Sequence, residues 1–543
     1  MEQTLPGITL KKHQVFKEYD TNKIDYLYFK NVGKLIPNNH IARLINILVD
    51  NMDLTKIFNK YKGGGTSAYN PCMLLKVWLL GYIEKIYTSR KLEKVIKENI
   101  VFMWISGLQT PDFRTLNNFR NILEDEIKNI FKTTVKTSMS LGLIDGKIGN
   151  IDGTIINANT NKHKVIWKKS IEKGLEKIEN ELSELTDNIF KESKELQLEE
   201  DNKYENNNLE NNNLKKSVKI EEVLKIVKNV ENKLKNKRNK TKEEKKIFKD
   251  SKRIKKLTNR KIIYKEKQKK LAGKNSCAIH DNDANAVYNK QGIIRPGYTE
   301  LIVSQNQIVL NYETDNKNEK ILLKEAIENV EKNTEIKLEK IVGDGGFGSE
   351  ENYKYLKEKE ILGYIKHNRY YKKKNKKWTQ EKVRKENFKK LNNEEYLCPS
   401  GKILKFKEIN ERKTKTGYII KQKIYQAQET DCTICPFKTY CTKAKFRTIT
   451  ISDEYENLKL EAEKILKTKE GRKLSKMRGC DVETIFAYRK SISDRFLLKR
   501  LNKVRIESGI YYSINNIKKI YKFLINNWLK FKQESGILLL TTK

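Results

Sequence analysis

Apolar residues recur at helical spacing over 34–145, and that whole stretch is predicted to be helical. Asn70-Pro71 opens one helix, with proline tolerated in the first turn. Met73, Leu74, Leu75, Val77, Trp78, Leu79 and Leu80 make it apolar nearly all round, as in a buried helix. Shorter helices are predicted over 90–99 and 101–106. Thr110-Pro111-Asp112 then opens a long one, in which Leu116, Phe119, Leu123, Ile127, Ile130 and Phe131 keep the period. Short helices joined by polar turns fit a helix-turn-helix DNA reader and, equally, a plain bundle.

From Lys147 the period changes. Residues 147–158 read as a strand pair around Asp152-Gly153. A charged stretch over 168–275 follows, where Ile171, Leu175, Ile178, Leu182 and Leu185 predict a helical hairpin or coiled coil around a low-complexity tip at 197–213. Strand-like sequence resumes over 297–303 and 307–312, a hairpin expected to turn at Ser304-Gln305-Asn306. A helix over 320–331, a strand over 340–343 ending on Asp344, a helix over 350–359 and a strand over 362–366 come next. This order predicts an α/β fold, a mixed sheet with helices on its faces, into which the charged stretch is inserted. A second, basic insertion carries a cysteine cluster. Helices over 453–467, around Glu483 and over 514–528 close the chain. The expected divisions are a helical domain at 1–145, a core made of 146–167, 276–370 and 448–535, and insertions at 168–275 and 371–447.

The 543 residues carry a net charge of +42, which implies a polyanionic partner, most often nucleic acid. Lysine-rich codon bias is the alternative source of that charge. Residues 1–16 contain no apolar signal core, and no apolar run approaches the ~18 residues of a membrane span, so neither secretion nor a membrane is expected. Seven cysteines, an odd number, point to a reducing cytoplasm. The five histidines are scattered and no serine-nucleophile motif occurs, which leaves His-pair and Ser-based hydrolysis without support.

Three acids remain: Asp152 in Ile151-Asp152-Gly153-Thr154, Asp344 in Val342-Gly343-Asp344-Gly345-Gly346-Phe347-Gly348, and Glu483 in Asp481-Val482-Glu483-Thr484-Ile485-Phe486. Each Asp-Gly alone reads as a turn aspartate. Together, two strand aspartates and a helical glutamate in a basic chain are the hard oxygen donors of a two-metal phosphoryl-transfer site. Adjacent strands about 4.8 Å apart can bring two carboxylates to metals about 3.5–4 Å apart, and Gly345, Gly346 and Gly348 would admit a phosphate backbone. Lys490 follows Glu483 by about two helical turns, on the same face, where it could hold a phosphate. Asp281 and Asp283 read either as extra ligands or as a turn pair.

Cys432-Thr433-Ile434-Cys435, with Cys441 after it and Cys398 before Pro399-Ser400-Gly401, offers four thiolates for a structural Zn²⁺, or simply four reduced thiols. Cys72, Cys277 and Cys480 are expected to be small buried residues.

On these residues the chain resembles a bacterial insertion-sequence transposase of the DDE type with an InsH-like N-terminal domain, the group called eleven-eighty-two. The resemblance runs through Ile36-Pro37-Asn38-Asn39-His40, Tyr69-Asn70-Pro71 with Met73-Leu74-Leu75, Ser89-Arg90-Lys91, Phe102-Met103-Trp104, and Pro111-Asp112-Phe113-Arg114-Thr115 with Phe119-Arg120. It continues through Ile151-Asp152-Gly153-Thr154, Asp283-Ala284, Pro296-Gly297-Tyr298, the stretch from Asp344 to Tyr353, and Arg478 with Val482-Glu483 and Phe486. The insertions at about 168–275 and 370–395 carry none of it.

The resemblance implies an RNase H-like core in which Asp152, Asp344 and Glu483 bind two Mg²⁺ ions, with Mn²⁺ as a substitute. Water would cleave a phosphodiester at the element end, and the freed 3′-OH would attack target DNA. It further implies DNA contacts by Lys490, Arg478, Arg114 and Arg120. Zn²⁺ is implied at Cys398, Cys432, Cys435 and Cys441, because the family carries a similar cluster. The implied partners are double-stranded DNA (element inverted repeats and target) and a second copy in a synaptic homodimer. The implied location is the nucleoid in the bacterial cytoplasm. Against the Tyr-Arg-Glu-Lys signature of part of the superfamily, Lys490 fits the lysine, while Gly479 and Lys476 stand at the arginine and tyrosine positions and Arg478 is one place away. The alternatives are an RNase H-like nuclease without strand transfer, and an inactive DNA-binding descendant of a transposase.

Overall fold

Side-chain caps set the helices of the first part of the chain. His40 accepts the Ala42 amide at the start of α1 (Ile41–Asp50), and α2 (Thr55–Phe58) follows. Asn70 caps α3 (Pro71–Ile83), with Pro71 in the first turn where its missing N–H costs nothing. Thr88, Asn99 and Asp112 cap α4 (Ser89–Glu98), α5 (Ile100–Ile105) and α6 (Phe113–Ile122) in the same way. From Met73 to Ile83 every residue of α3 is buried, including Lys76, whose Nζ is held by Asp50 at 2.6 Å and Asn46 at 2.7 Å.

The long helix expected after Asp112 breaks at Leu123, and α7 (Ile127–Ser140) starts afresh. Leu123, Ile127 and Ile130 all face one core, so the hydrophobic period survives the break. At the junction the buried Glu126 takes hydrogen from Asn129 at 2.7 Å and pairs with Lys56 at 3.5 Å.

The structure is a computed structural model and describes residues 17–18, 32–61, 63, 67–195, 228, 232, 235, 240–288, 292–372 and 383–535. The low-complexity tip expected at 197–213 lies outside the described residues. The chain folds as two units, Met1–Asn159 with Gly297–Lys543, and Thr160–Pro296. The second unit is wider than the insertion read from charge at 168–275.

The first unit continues from α7 into β1 (Ile148–Asn157), one unbroken strand rather than a pair around Gly153. The second unit holds β2 (Val165–Trp167), α8 (Lys168–Glu195), α9 (Lys242–Leu271), β3 (Ser276–Ala278) and β4 (Asn285–Tyr288), with β2 antiparallel to β3. A capping box between Thr241 and Glu244 starts α9. Ile178, Leu182 and Ile189 of α8 meet Ile254 and Leu257 of α9 in the predicted helical hairpin. Asp281 and Asp283 lie in a turn here: the Asp281 carbonyl accepts the Ala284 amide at 3.1 Å, and Asp283 pairs with Lys274 at 3.8 Å.

The chain then supplies β5 (Ile294–Gln305), β6 (Ile308–Asp315), α10 (Glu319–Thr334), β7 (Lys340–Gly348), α11 (Glu350–Glu358) and β8 (Leu362–His367). The central strands lie in the order β6–β5–β1–β7–β8. β5 is antiparallel to both β1 and β6, while β1, β7 and β8 run parallel. This is the expected mixed sheet. The hairpin turns at Asn306-Gln307, later than predicted, because both residues adopt left-handed backbone (φ 53° and 64°) as a two-residue turn between twisted strands requires. β7 also runs on through the glycine run instead of ending on Asp344 as expected.

A second sheet, in the order β13–β12–β11–β10–β9, is built from β9 (Lys389–Lys390), β10 (Glu395–Leu397), β11 (Ile403–Lys413), β12 (Ile419–Ala427) and β13 (Thr448–Ile451). The short helices α12 (Glu429–Thr433) and α13 (Lys438–Cys441) lie between β12 and β13 in the chain. Three helices finish the fold: α14 (Asp453–Lys467), α15 (Lys469–Ile492) and α16 (Leu501–Ser535).

α16 starts well before the predicted Ile514, because buried polar residues interrupt its apolar period. Each has partners: Asn516, for example, accepts from the Val309 amide at 2.8 Å and donates to the Val309 carbonyl at 2.9 Å. Ile506, Ile510, Ile514 and Ile517 complete the core of the N-terminal helices, while Tyr512 enters the core of the sheet.

Candidate active site

Parallel pairing of β1 with β7 sets Asn150 opposite Val342. Asp152 and Asp344 stand two residues further along each strand, toward the same sheet edge. Asp152 accepts the Gly153 amide at 2.9 Å through Oδ1 and pairs through Oδ2 with Arg478 Nη1 of α15 at 3.2 Å. Arg478 also reaches the Ile151 carbonyl at 3.5 Å. Asp344 Oδ1 accepts the Gly346 amide at 2.7 Å. Burial pushes the Asp152 carboxyl above its ordinary range and Asp344 adds to the rise, against the pull of Arg478. The two aspartates therefore sense each other, and the structure brings them together.

It also brings in a carboxylate that sequence reasoning missed. Glu319, first residue of α10, lies over Gly153 so closely that a Cβ there would collide with its Oε2. Gly153 thus lies mid-strand rather than in a turn, and a side chain there would have to push the Glu319 carboxylate aside. Burial raises the Glu319 carboxyl, and the negative charges of Asp344 and Asp152 raise it further. A signal was available in the topology. β6 runs in the same direction as β1, so the helix after it begins at the edge where Asp152 stands, and its first residue is acidic.

Glu483 is placed differently. On α15, Val482, Ile485 and Phe486 are buried in the core of the sheet, whereas Glu483 and Lys490 are exposed. Among the described residues Glu483 has no hydrogen bond or ion pair to Asp152 or Asp344, and no group of three or more His, Cys, Asp or Glu side chains stands so that it could hold a metal ion.

Two buried polar networks fix α15 to the sheet. Asp481 accepts from Asn150 at 2.6 Å, from Ser304 at 3.1 Å and from the Gln307 amide. Burial raises its carboxyl, and these hydrogen bonds oppose the rise. Arg489, 1% exposed, donates to Glu300, 0% exposed, at 3.1 Å. Glu300 also accepts from Ser508 at 2.6 Å and Tyr512 at 3.0 Å. The guanidinium carbon of Arg489 stands 4.3 Å from the Tyr511 ring centroid.

Of the arginines expected on DNA, Arg114 is exposed on α6. Arg120 is not available: it is 6% exposed, 4.6 Å from the Trp78 ring centroid, and hydrogen-bonded to the Tyr87 carbonyl at 3.2 Å and Asn117 at 2.9 Å. A guanidinium committed in this way holds the helical core, and its assignment to DNA is corrected. Arg478, expected on DNA as well, is taken up by Asp152.

Cys398, Cys432, Cys435 and Cys441 line one cavity of about 40 Å³ in the second sheet. The Lys402 and Arg447 amides donate to the sulfurs of Cys398 at 3.4 Å and Cys432 at 3.3 Å, and the Ser400 hydroxyl is 3.2 Å from the Cys435 sulfur. Burial raises the Cys441 thiol, and the other three cysteines add to the rise. Of the remaining cysteines Cys277 is buried and Cys72 half-buried, but Cys480 is exposed on α15, contrary to expectation.

Residues 30–121 match the family described as Transposase domain (DUF772), and residues 397–521 match the family described as Transposase DDE domain. The second match includes the four-cysteine cluster, Arg478, Glu483 and Lys490; Asp152 and Asp344 lie outside both. No curated protein and no solved structure matches the chain. Among the described residues no helix is long and apolar enough to cross a membrane.

Proposed function

Because the chain belongs to the insertion-sequence transposases of the DDE type, we propose that it binds the ends of its own element, cuts phosphodiester bonds there with the help of two divalent cations, and joins the 3′ ends to target DNA. The carrying observation is the pair Asp152 and Asp344, side by side on parallel strands, with α15 of the matched DDE segment laid against them through Arg478. The order and directions of the central strands, an antiparallel hairpin beside parallel strands, support an RNase H-like core.

The donors offered are carboxylate oxygens, the kind a hard divalent cation takes, although among the described residues no three of them are grouped so as to hold one, and the Arg478 guanidinium stands as a cation against Asp152. Asp152, Asp344 and Glu483 would hold Mg²⁺ or Mn²⁺, which when bound supplies positive charge to the attacking and leaving oxygens of an in-line displacement. Arg478 neutralises Asp152 and fixes its rotamer. Gly345 and Gly346 present no side chain toward an approaching phosphate. Lys490, exposed on the Glu483 face of α15, would hold a DNA phosphate, and Arg114 would do so from α6. The working form is a homodimer that pairs two element ends in the cytoplasm.

Incubation of the protein with Mg²⁺ and DNA carrying the element's own ends tests this reading. Joined 3′ ends support it. Cutting without joining would favour a nuclease, and binding without cutting an inactive descendant.

The reading of a structural Zn²⁺ on Cys398, Cys432, Cys435 and Cys441 draws on the one cavity that all four line and on the backbone amides that point at two of the sulfurs. Reduced protein is expected to purify with about one zinc per chain. Cys432→Ser should lose that zinc and make the second sheet sensitive to protease. A folded, reduced, zinc-free wild-type sample would rule the ion out.

A further inference from the structure

We propose that the exposed face of α9 is a sequence-independent contact for double-stranded DNA; this rests on the reading above that the protein acts on DNA. The face belongs to the second unit, outside both family matches. The buried residues of α9 are Glu244, Ile247, Ser251, Ile254, Leu257 and Leu271, of which Ile254 and Leu257 meet α8. Lys242, Lys245, Lys249, Lys252 and Lys256 recur every three or four residues on the opposite side of the helix, and all five are exposed. At 1.5 Å per residue they form a basic line about 21 Å long.

The charge is particular to this helix. α9 holds 14 Lys and Arg against 4 Asp and Glu, a balance of 14 − 4 = +10, whereas α8, its partner in the hairpin, holds 6 against 8, a balance of 6 − 8 = −2. Lysine-rich codon use would load both helices alike. Local pairing does not absorb the charge either. α9 pairs with α8 through Arg253 and Glu181 at 2.7 Å and through Lys261 and Glu179 at 3.0 Å, beside the line of lysines. Among the described residues none of the five lysines is in an ion pair; Lys252 stands 4.3 Å from the Phe248 ring centroid. Lysines three and four apart repel one another and weaken a helix. A duplex laid along the line removes that repulsion and sheds the counterions condensed on its own phosphates. A lipid surface fits less well. A helix lying on a membrane offers it an apolar face, and that of α9 is turned to α8, with only Ile262 and Ile263 of its large apolar residues exposed.

The test reads DNA binding against salt. A fluorescent duplex of random sequence, carrying no element end, is titrated by anisotropy with the full-length protein and two variants. Lys245→Gln/Lys249→Gln/Lys252→Gln/Lys256→Gln removes four charges from the line on α9. Lys168→Gln/Lys169→Gln/Lys173→Gln/Lys177→Gln removes four from exposed positions of α8, so net charge falls equally in both. Glutamine keeps helix propensity close to that of lysine, and circular dichroism checks that each variant is folded. The α9 variant is expected to bind about 10-fold or more weakly at low salt, and its slope of log affinity against log salt should shrink by about 3–4. The α8 variant should match wild type. Equal losses in the two variants, or wild-type affinity and slope in the α9 variant, would overturn this inference, while duplex binding by wild type leaves the proposed function standing. Unchanged duplex binding with lost binding to phosphatidylserine vesicles would also overturn it and give the face to lipid. If wild type itself binds no duplex, the reading beneath fails too.

Discussion

Asp344→Asn is expected to cut cleavage of element ends by at least about a thousandfold, equivalent to about 4 kcal/mol of transition-state stabilisation, while leaving the fold intact. Both halves of that outcome come from the surroundings of Asp344. Its structural role is slight: it is partly exposed, and Oδ1 accepts one amide, that of Gly346. An asparagine carbonyl can accept the same amide. What the substitution removes is charge, at an edge where Asp152 and Glu319 already crowd negative groups. The variant should therefore melt no lower than wild type in the absence of metal, and its loss of activity cannot be assigned to unfolding. A gel assay of end cleavage alongside a thermal melt measures both. Full cleavage and joining by Asp344→Asn would take this residue out of the chemistry.

The largest effect on stability is expected at Arg489. Arg489→Met should cost about 3–5 kcal/mol, because it leaves the carboxylate of Glu300 buried without its cation. The hydroxyls of Ser508 and Tyr512 still donate to Glu300, yet two neutral donors do not replace a guanidinium at full burial. The double variant Arg489→Met/Glu300→Leu removes both charges and should recover part of the loss. Recovery stays incomplete, since the two hydroxyls are then buried without an acceptor, at about 1–3 kcal/mol each. Urea denaturation of wild type, the single variant and the double variant measures the coupling; equal stability of the single variant and wild type would show that the pair does not hold α15. End cleavage should fall with stability in this series, since α15 carries Arg478 to Asp152.

Much of the fold is legible in the chain because local chemistry and global architecture agree. Asn70 and Asp112 mark helix starts and do cap helices there. The order from β5 to β8, with α10 and α11 between, follows from changes of period, whereas the short β2, β3 and β4 leave no such signal. Errors arise where a residue serves a distant partner. Gly153 looks like a turn residue, but it lies mid-strand against Glu319, far along the chain. Glu319 itself looks like an ordinary first-turn acid, since nothing local distinguishes an acid that suits the helix dipole from one aimed at two aspartates. Arg120 is implied on DNA by the resemblance, whereas Trp78 and the Tyr87 carbonyl hold it inside. Glu300 and Arg489 lie 189 residues apart and leave no local trace. Asp152 and Asp344 stand out because each follows a buried apolar run and precedes glycine, and Glu483 stands out on family resemblance more than on pattern.

The last helix has a consequence for how the protein is made. Ile506, Ile510, Ile514 and Ile517 sit in the same core as Ala42, Trp78 and Phe119. The N-terminal helices thus leave the ribosome hundreds of residues before the segment that closes their core is synthesised, and they must wait for it with apolar faces uncovered. A nonsense or frameshift mutation ahead of Leu501 would not trim a tail. It would withdraw the shared central support of the helices and the sheet, so interrupted copies of this gene would yield unfolded chains rather than DNA-binding fragments.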